Sequence, residues 1–430
     1  MSTGRYKILV YGCQMNIADA ERMEGQLQSV GYTRTEETAD ADVILINTCC
    51  VRESAEDKVY GKIGEIKKLK ERNPHLIFGI AGCMAQKEGD NLMQRAPHID
   101  FVLGTGKVQE LTRIIAEIRA EHSPVVDTVI GNTIAENLPI ARGGKFSAWV
   151  PIMYGCNNFC TFCIVPYVRG RFLSRPVEDI LREVRLLVTS GVREVTLLGQ
   201  NVNSYGKDFS DGTTFASLLR DVARIDGLDL VRFVTSLPQD FTEDIVEVMA
   251  GERAVCPSLN LPIQAGSDRI LKLMNRKYTR AEYLEKVRMV RRALPELGLT
   301  SDLIVGFPGE TKGEFEQSLA FCQEMGFSRM HVFRYSKRPG TPAASAPDQV
   351  DPRLAAKRGA RMRDLARSMR LEAASMLLGT EQLVVVERRG RGVTGGLFDV
   401  RLDPAVAVGT LVRATPHSLL NDGSLLATVA

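Results

Sequence analysis

The sequence YGCNNFCTFC, from Tyr154 to Cys163, follows an apolar stretch over residues 149–154 that predicts a β-strand. It places the thiols of Cys156, Cys160 and Cys163 at Cys-x3-Cys-x2-Cys spacing on one loop. Soft thiolates suit iron–sulfur ligation, and three of them can bind three irons of a 4Fe-4S cluster while the fourth iron keeps an open position. Zinc is the competing metal, but a structural zinc site needs a second cysteine pair or a histidine, and neither lies nearby. The loop therefore predicts a cluster with an open, catalytic iron.

Residues 147–370, which contain this loop, alternate strand and helix patterns. After the strand at 149–154, further strands are predicted at residues 194–198, 230–235, 258–261, 299–305 and 329–333. Helical spacing of apolar residues occupies 177–190, 215–225, 242–249, 280–294 and 312–325. Six βα units predict a (β/α)6 partial TIM barrel, in which the loops after the strands form the site.

A second set of three cysteines lies in residues 1–122. There, strand-like runs at 7–11, 43–46 and 76–80 alternate with helical spacing at 18–30, 53–72 and 108–120. This βα alternation predicts an α/β domain with a doubly wound parallel sheet. Cys13, Cys49 and Cys83 each stand at the end of one strand, and loops beyond such ends gather along one edge of a parallel sheet. We therefore expect these three thiols to converge on a second, auxiliary cluster, with Cys50 pointing elsewhere.

The rest of the chain predicts a linker and a small terminal domain. Residues 123–146 contain prolines and glycines and show little periodicity, as expected of a linker. Residues 371–430 carry short strands at 381–387, 397–402, 409–414 and 425–429 with glycine-rich turns. That pattern predicts a small OB-like β-barrel.

Charge is distributed unevenly, although the net charge is only +3. Residues 329–370 hold eleven Lys or Arg and three acids, a local excess of +8. One predicted helix in this region concentrates the arginines Arg358, Arg361, Arg363, Arg367 and Arg370. The arginines form either a solvated helix face or a groove for a polyanion.

Composition indicates an ordinary globular protein, with 44% hydrophobic and 25% charged residues. The N-terminus lacks the pattern of a signal peptide, and no apolar run approaches the ~20 residues of a membrane span. We therefore expect a cytoplasmic protein without membrane contact. In a reducing compartment the nine cysteines are not expected to form structural disulfides.

The cysteine loop, with an aromatic residue before its last cysteine, resembles the signature of the radical S-adenosylmethionine (SAM) superfamily. The resemblance implies that the methionine group of SAM chelates the open iron. An electron from the cluster then cleaves the sulfonium to a 5′-deoxyadenosyl radical. It also implies that Phe162 lies near the adenine and that Gly199-Gln200 receives the methionine amine. The segment IVGFPGE, with Ile304 and Gly306, is similar to the strand end that packs against SAM.

Two sites of three cysteines and a terminal β-module resemble the methylthiotransferases over essentially the whole chain. Within that family the MiaB type is indicated by GCQMN from Gly12, NTC followed by VRE from Asn47, and LGQNVN from Leu198. The resemblance implies conversion of isopentenyladenosine beside the tRNA anticodon to its 2-methylthio derivative. One SAM gives the radical, the auxiliary cluster gives sulfur, and a second SAM gives the methyl group. Leu237 departs from the family pattern, which often has histidine there.

The same resemblance implies that the strands from about residue 371 form a TRAM domain, an RNA-binding barrel. Expected partners are tRNA and a reducing electron donor, without DNA, and the chain is expected to be a monomer. Arg169 and Arg171 are candidates for contact with the anticodon loop, and salt partnership within the fold is the alternative. Arg358, Arg361 and Arg367 are candidates for phosphate contacts.

Two other interpretations stay open at the level of sequence. The first is a methylthiotransferase that acts on threonylcarbamoyladenosine in tRNA or on an aspartate of a ribosomal protein. The second is a non-catalytic RNA-binding iron–sulfur protein, which would not cleave SAM.

Overall fold

The N-terminal domain is a parallel sheet covered by helices on both faces. In this computed structural model the described residues are 4–50, 53–131, 134, 138–141 and 146–430, without the side chains of 53–57. The strands are β1 (Gly4–Tyr11), β2 (Tyr32–Arg34), β3 (Val43–Thr48), β4 (Ile77–Gly82), β5 (Phe101–Leu103) and β6 (Val125–Asp127). The helices are α1 (Gln14–Ser29), α2 (Glu53–Arg72), α3 (Cys83–Glu88), α4 (Asp90–Arg95) and α5 (Leu111–Glu121). The order β2-β1-β3-β4-β5-β6 confirms the predicted doubly wound sheet.

The sequence of the central strands explains this arrangement. Every residue of β3 and β4 is buried, as expected for apolar strands that are covered on both faces. Helices α1 and α5 enclose one core with Met23, Leu27 and Ile114. Helix α2 and the short helices α3 and α4 enclose the other core, which includes Ile63 and Met84.

The predicted linker 123–146 is partly wrong, because it begins with strand β6 at the edge of this sheet. Val125 packs against one core and Val126 against the other, the period-2 alternation of a strand. Three residues are too few to show that periodicity in the sequence. The sheet therefore extends past residue 122.

The central domain is the predicted partial barrel. Its strands are β7 (Ser147–Pro151), β8 (Met153–Tyr154), β9 (Leu173–Ser174), β10 (Glu194–Leu198), β11 (Leu230–Phe233), β12 (Ser258–Asn260), β13 (Gly298–Val305) and β14 (Arg329–Arg334). The helices are α6 (Val165–Val168), α7 (Val177–Thr189), α8 (Phe215–Ala223), α9 (Glu243–Gly251), α10 (Asp268–Leu273), α11 (Arg280–Ala293) and α12 (Lys312–Met325). Parallel strands β7-β10-β11 and β12-β13-β14 carry most of the barrel wall.

The strand predicted at 149–154 is divided into β7 and β8. Strand β8 pairs with β9 in a short antiparallel ladder, so the cysteine loop leaves the barrel wall and returns to it through a hairpin stem. This stem places the loop over the C-terminal ends of the barrel strands, where sites of such folds lie.

The C-terminal domain confirms the predicted β-barrel. A long helix, α13 (Pro352–Ser375), leads into strands β15 (Gln382–Arg388), β16 (Arg391–Thr394), β17 (Asp399–Arg401), β18 (Leu411–Leu419) and β19 (Leu425–Val429). These strands close a barrel in the order β15-β16-β17-β19-β18. Strand β16 was not predicted, because it is short and follows a tight turn at Gly390, whose φ is +68°. Arg232 joins this barrel to the central domain by donating to the carbonyl oxygens of Thr394 and Gly395.

None of the described helices is both long enough and apolar enough to cross a membrane.

Candidate metal centres

The three N-terminal cysteines meet at one edge of the first sheet, as predicted. Tyr11, Thr48 and Gly82 are register partners across β1, β3 and β4, so the three strands end side by side. Cys13 caps α1, Cys49 follows β3, and Cys83 begins α3. The Cys49 thiol hydrogen-bonds with both Cys13 and Cys83. Three separate segments therefore bring their sulfur atoms together.

The electrostatic environment favours thiolates at Cys13 and Cys83, whereas the hydrogen bonds with these two residues and burial raise the pKa of Cys49 between them. The hydrogen bond with Cys49, the charge of Arg169 and the bond to Asn16 lower the pKa of the Cys13 thiol to about 6. Hydrogen bonds with Cys49 and Cys50, and the charge of Arg169, hold the pKa of Cys83 well below its usual range. The thiolate is the form of cysteine that binds iron. The lowered pKa values of Cys13 and Cys83 therefore favour iron binding at these two residues.

The expectation for Cys50 is wrong. Its side chain is buried and hydrogen-bonds with Cys83, and both pack against Ile164 and Val168 of the central domain. Alternation along an extended strand would separate Cys49 from Cys50, but β3 ends at Thr48, so that rule does not reach them.

Two asparagines hold the cysteine loops together, and the sequence analysis missed their role. Asn16 Nδ2 donates to Asn47 Oδ1 at 3.2 Å and to the Thr48 carbonyl at 3.1 Å, while Asn47 Nδ2 donates to the Asn16 carbonyl at 2.7 Å. Both side chains are fully buried. A Cβ at Gly82, where φ is +91°, would overlap Asn47. Their position within the GCQMN and NTC motifs was the available signal.

The cysteine loop of the central domain is held by backbone and side-chain hydrogen bonds. Cys156 N donates to the Gly170 carbonyl at 3.1 Å, and Asn158 Nδ2 lies 3.3 Å from Cys156 Sγ. Burial raises the pKa of Cys156, and raises that of Cys163 to about 12. These thiols are protonated in the absence of metal, so metal binding must release their protons.

Arg276 is a third residue whose role was not predicted from the sequence. Its side chain is buried, and Nη1 lies 3.4 Å from Cys160 Sγ. Asp302 also faces this region from β13, beside Asn260 Nδ2 at 3.4 Å, and burial raises the pKa of its carboxyl. Arg276 lies between α10 and α11 and Asp302 lies within β13, and an arginine and a carboxyl group beside the cysteine loop are the polar groups expected of a ligand site.

The residues predicted to contact SAM lie around this loop, and their contacts with SAM stay predictions. Phe162 packs edge-on against Phe307, with ring centroids 6.4 Å apart. Gln200 Oε1 accepts from the Gly155 N–H at 2.6 Å and so anchors the start of the loop. Ile304 shares a strand face with Asp302.

The two predicted glycines have packing roles of their own. A Cβ at Gly199 would come within 2.6 Å of Met153 Cγ. A Cβ at Gly306, where φ is +73°, would come within 2.6 Å of the Ala355 side chain on α13. Close packing thus accounts for glycine at both positions, independently of any cofactor contact.

The predicted RNA-contacting arginines divide into buried and exposed groups. Arg169 and Arg358 are buried in ion pairs, with Asp19 at 3.0 Å and with Glu310 at 2.6 Å, so the prediction that they contact RNA is wrong. A buried guanidinium needs a fixed counter-charge, which each has within the fold.

The other three arginines are exposed. Arg171 lies over the ring of Phe159, 4.5 Å from its centroid, and Arg361 pairs with Glu316 at 2.6 Å. Arg367 is exposed on α13. Their contact with RNA stays a prediction.

Side chains next to the two cysteine sites pack directly against each other. Helix α6 starts two residues after Cys163, and Ile164 and Val168 pack against Cys50 and Cys83 of the N-terminal domain. The loop that carries one set of thiols thus lies against a thiol of the other set.

The donor sets fit iron–sulfur clusters better than a single metal ion. No three His, Cys, Asp or Glu side chains of the described residues are arranged around one common ion position. A four-iron cluster takes one thiolate on each of three irons, so each thiolate approaches a different metal. Both sites offer three cysteine sulfurs on loops at strand ends, with a buried arginine beside them.

A parallel partial barrel with this cysteine loop after its first strand defines a radical SAM protein, and residues 150–322 match the radical SAM superfamily. Residues 5–104 match the Uncharacterized protein family UPF0004. The chain belongs to the family of tRNA-2-methylthio-N(6)-dimethylallyladenosine synthases and is therefore an enzyme. A relative of that name from Carboxydothermus hydrogenoformans is 48% identical over 91% of this chain and 90% of its own length. One from Moorella thermoacetica is 49% identical over 89% and 87%.

Solved structures resemble this chain in fold. The radical S-adenosylmethionine methyltransferase TsrM from Kitasatospora setae, solved with cobalamin and a 4Fe-4S cluster, superposes with a TM-score of 0.58. The alignment covers 80% of this chain and 77% of that chain at 14% identity, so the likeness concerns the fold alone.

Proposed function

We propose that this enzyme adds a methylthio group to N6-dimethylallyladenosine (isopentenyladenosine) beside the anticodon of tRNA. The observation that carries the proposal is the contact between two three-cysteine sites, made through Ile164 and Val168. A radical site alone would serve many reactions. A second thiolate site packed against it supplies the position from which sulfur reaches the same substrate carbon. The names of the relatives support the substrate.

The target carbon explains why such a pair of sites is needed. Carbon 2 of adenine is neither acidic nor electrophilic, so acid–base catalysis by side chains offers little, and cofactors must carry the step. When bound, the Cys156–Cys160–Cys163 cluster with SAM supplies a 5′-deoxyadenosyl radical, the auxiliary cluster supplies sulfur, and a second SAM supplies the methyl group.

The chain's own residues hold these groups and cover part of the site. Asn16 and Asn47 keep the thiol-bearing loops of the N-terminal domain in place. Arg276 places a buried cation beside Cys160. Ile164 and Val168 pack against Cys50 and Cys83, so apolar side chains cover one side of the N-terminal site.

Exposed aromatic rings near the loop can hold a nucleobase. His331 and Phe333 lie on β14 opposite Asp302 and Ile304 of β13, so all four share one strand face. Both rings are exposed, with centroids 6.5 Å apart. Proteins hold unstacked RNA bases on such rings, and an anticodon loop presents bases of this kind.

Basic surfaces near the terminal barrel can bind the phosphates of the same RNA. Arg363 and Arg367 are exposed on α13. A cavity between this helix and the barrel is lined by four arginines and three acids, namely Arg370, Arg388, Arg391, Arg401, Glu387, Asp399 and Asp422. Arg370 and Arg401 form ion pairs with Asp399 and Asp422, which leaves Arg388 and Arg391 as its candidates for phosphate contact. Arginine binds phosphate oxygens through paired N–H groups, so these surfaces fit a folded RNA.

Nucleoside analysis of tRNA tests the proposal. A strain lacking this gene is complemented with the wild-type chain, with Cys83→Ala or with Cys322→Ala, which removes a buried thiol on α12 away from both sites. We expect methylthio-isopentenyladenosine with the wild type and Cys322→Ala, and unmodified isopentenyladenosine with Cys83→Ala. Methylthio-isopentenyladenosine at normal levels in the uncomplemented strain would show that the assigned substrate is wrong.

Cleavage of SAM separates the enzyme from a binding protein. The anaerobically reconstituted chain should hold about eight irons if both clusters are four-iron. It should release 5′-deoxyadenosine under strong reductant, whereas Cys160→Ala should not.

A further inference from the structure

The guanidinium of Arg169 connects the two cysteine sites. It follows α6, six positions after Cys163, and it forms an ion pair with Asp19, six positions after Cys13. Nη2 lies 3.0 Å from Asp19 Oδ2, and both side chains are about 5% exposed or less. The contact therefore joins the two domains at the level of their metal-binding loops.

One terminal nitrogen of this guanidinium lacks a partner in the described part of the chain, although the Arg169 side chain also hydrogen-bonds with the Cys83 thiol. Nη1 of Arg169 is buried and has no hydrogen-bond partner among the described residues. An unpaired buried N–H of a charged group costs free energy, so such a group is expected to meet an acceptor in the working protein. The sulfur within hydrogen-bonding reach of this side chain is that of Cys83, and the charge of Arg169 also acts on the Cys13 thiol.

We propose that Arg169 is a positioning residue of the auxiliary site, whose Nη1–H hydrogen-bonds to sulfur at Cys83 and raises the reduction potential of the cluster held there. This inference rests on the proposed function, because it takes Cys13, Cys49 and Cys83 to hold that cluster. It assigns to a residue of the central domain a role in the electronic properties of the N-terminal site.

The sign of the effect follows from charge. A cluster on three thiolates is anionic, and reduction adds one further negative charge. A fixed cation in a low-dielectric interior stabilises the more negative state more strongly, and hydrogen bonds to cluster sulfurs act in the same direction. Asp19 holds the guanidinium in place but leaves Nη1 directed elsewhere.

The test uses the full chain in which Cys156, Cys160 and Cys163 are replaced by alanine, so that only the auxiliary cluster is observed. Redox titration monitored by electron paramagnetic resonance gives the midpoint potential, and iron analysis gives the loading. At the potential where the parent is half reduced, we expect Arg169→Met to lower the ratio of reduced to oxidised cluster about tenfold. That ratio corresponds to a midpoint about 59 mV lower for one electron. Arg169→Lys, which keeps the charge, should recover most of the difference.

Arg171→Met is the matched control, because it removes an exposed guanidinium two positions away that lies over Phe159. Its midpoint should equal that of the parent. A fully loaded Arg169→Met protein with the parent's midpoint would overturn the inference. If Arg169→Met loses its iron, Arg169→Gln takes its place, since it keeps an N–H donor without the charge. A parental midpoint in loaded Arg169→Gln would equally overturn the inference.

If the proposed function is wrong, the experiments give a result that differs from an unchanged midpoint in Arg169→Met. Loss of the auxiliary cluster from the parent itself, with Arg169 intact, would remove the assumed site. If the chain with all six cysteines and both clusters loaded forms no methylthio product, the proposed substrate is refuted, and the shift in midpoint would still be measurable in the parent.

Discussion

Glu183 connects the N-terminal domain to the barrel, and its replacement gives a sharp test of the structure. The Glu183 carboxylate lies 3.4 Å from Arg22 Nη2 on α1 and 2.9 Å from Arg175 Nη1. All three side chains are at most 8% exposed. Glu183→Gln keeps the shape of the side chain but leaves two buried guanidinium groups with less counter-charge. We expect a loss of stability rather than a local adjustment.

The expected loss in the free energy of unfolding follows from the burial of the two ion pairs of Glu183. Removing one partner of a buried ion pair costs about 3–5 kcal/mol. Arg22 keeps a hydrogen bond to the Tyr154 hydroxyl at 2.7 Å, so we take the lower end of that range, about 3 kcal/mol. With a urea m-value of about 3 kcal/mol per M, the unfolding midpoint should fall by about 1 M.

Trp149 provides the assay, because it is the chain's single tryptophan. It packs with Met15 and Ala18 of α1, so its fluorescence in cluster-free protein reports the docking of the two domains. Glu285→Gln is the control, since its pair with Arg288 is more than half exposed and should contribute at most about 1 kcal/mol. A Glu183→Gln midpoint within about 0.3 M of this control would refute the reasoning.

Three further predictions concern a thiol, a glycine and a charged surface. The rate of Cys13 alkylation in cluster-free protein should rise with pH around a midpoint near 6, because the Cys13 thiolate forms in that pH range. The rate is measured by mass spectrometry, and a midpoint at the ordinary thiol pKa of about 8.5 would contradict this prediction. Gly79→Ala should lower stability by about 1–3 kcal/mol, because its Cβ would overlap an aromatic ring of β5. Gly64→Ala, with open space around it on α2, should be neutral or stabilising by up to about 1 kcal/mol, and calorimetry compares the two. Replacing exposed Arg363 and Arg367 by Gln should reduce the salt slope of tRNA binding by about 2 in filter-binding assays, and an unchanged slope would exclude this face as a phosphate contact.

Local spacing was enough to predict the loops that carry the thiols. The Cys156–Cys163 spacing lies within one loop, so no knowledge of distant contacts was needed. Cys13, Cys49 and Cys83 were predicted to converge because strand ends of a parallel sheet meet at one edge, and the register of β1, β3 and β4 confirms this. This rule makes no prediction about the direction of the Cys50 side chain, because β3 ends at Thr48.

The sequence was least informative about the arginines, because it did not indicate which of them are buried. Arg358 belongs to the basic run of α13, yet its side chain turns inward to Glu310, whereas Arg367 of the same helix is exposed. A helix presents different faces every few residues, and which face is covered depends on packing partners far along the chain. The number of charged residues in a segment therefore cannot distinguish a buried arginine from an exposed one.

The amino-acid sequence by itself determined the alternation of strands and helices in the first two domains, both cysteine sets and the terminal barrel, because each follows from local patterns and from the rule that parallel strands end at one edge of a sheet. Only the tertiary structure decided that Arg169 is buried against Asp19 and Cys83 rather than exposed to solvent, and that Ile164 and Val168 pack against Cys50 and Cys83. Those contacts link residues some 80 to 150 positions apart and depend on how two domains pack. Burial then gives the charge of Arg169 its effect, because the same guanidinium in water would be screened.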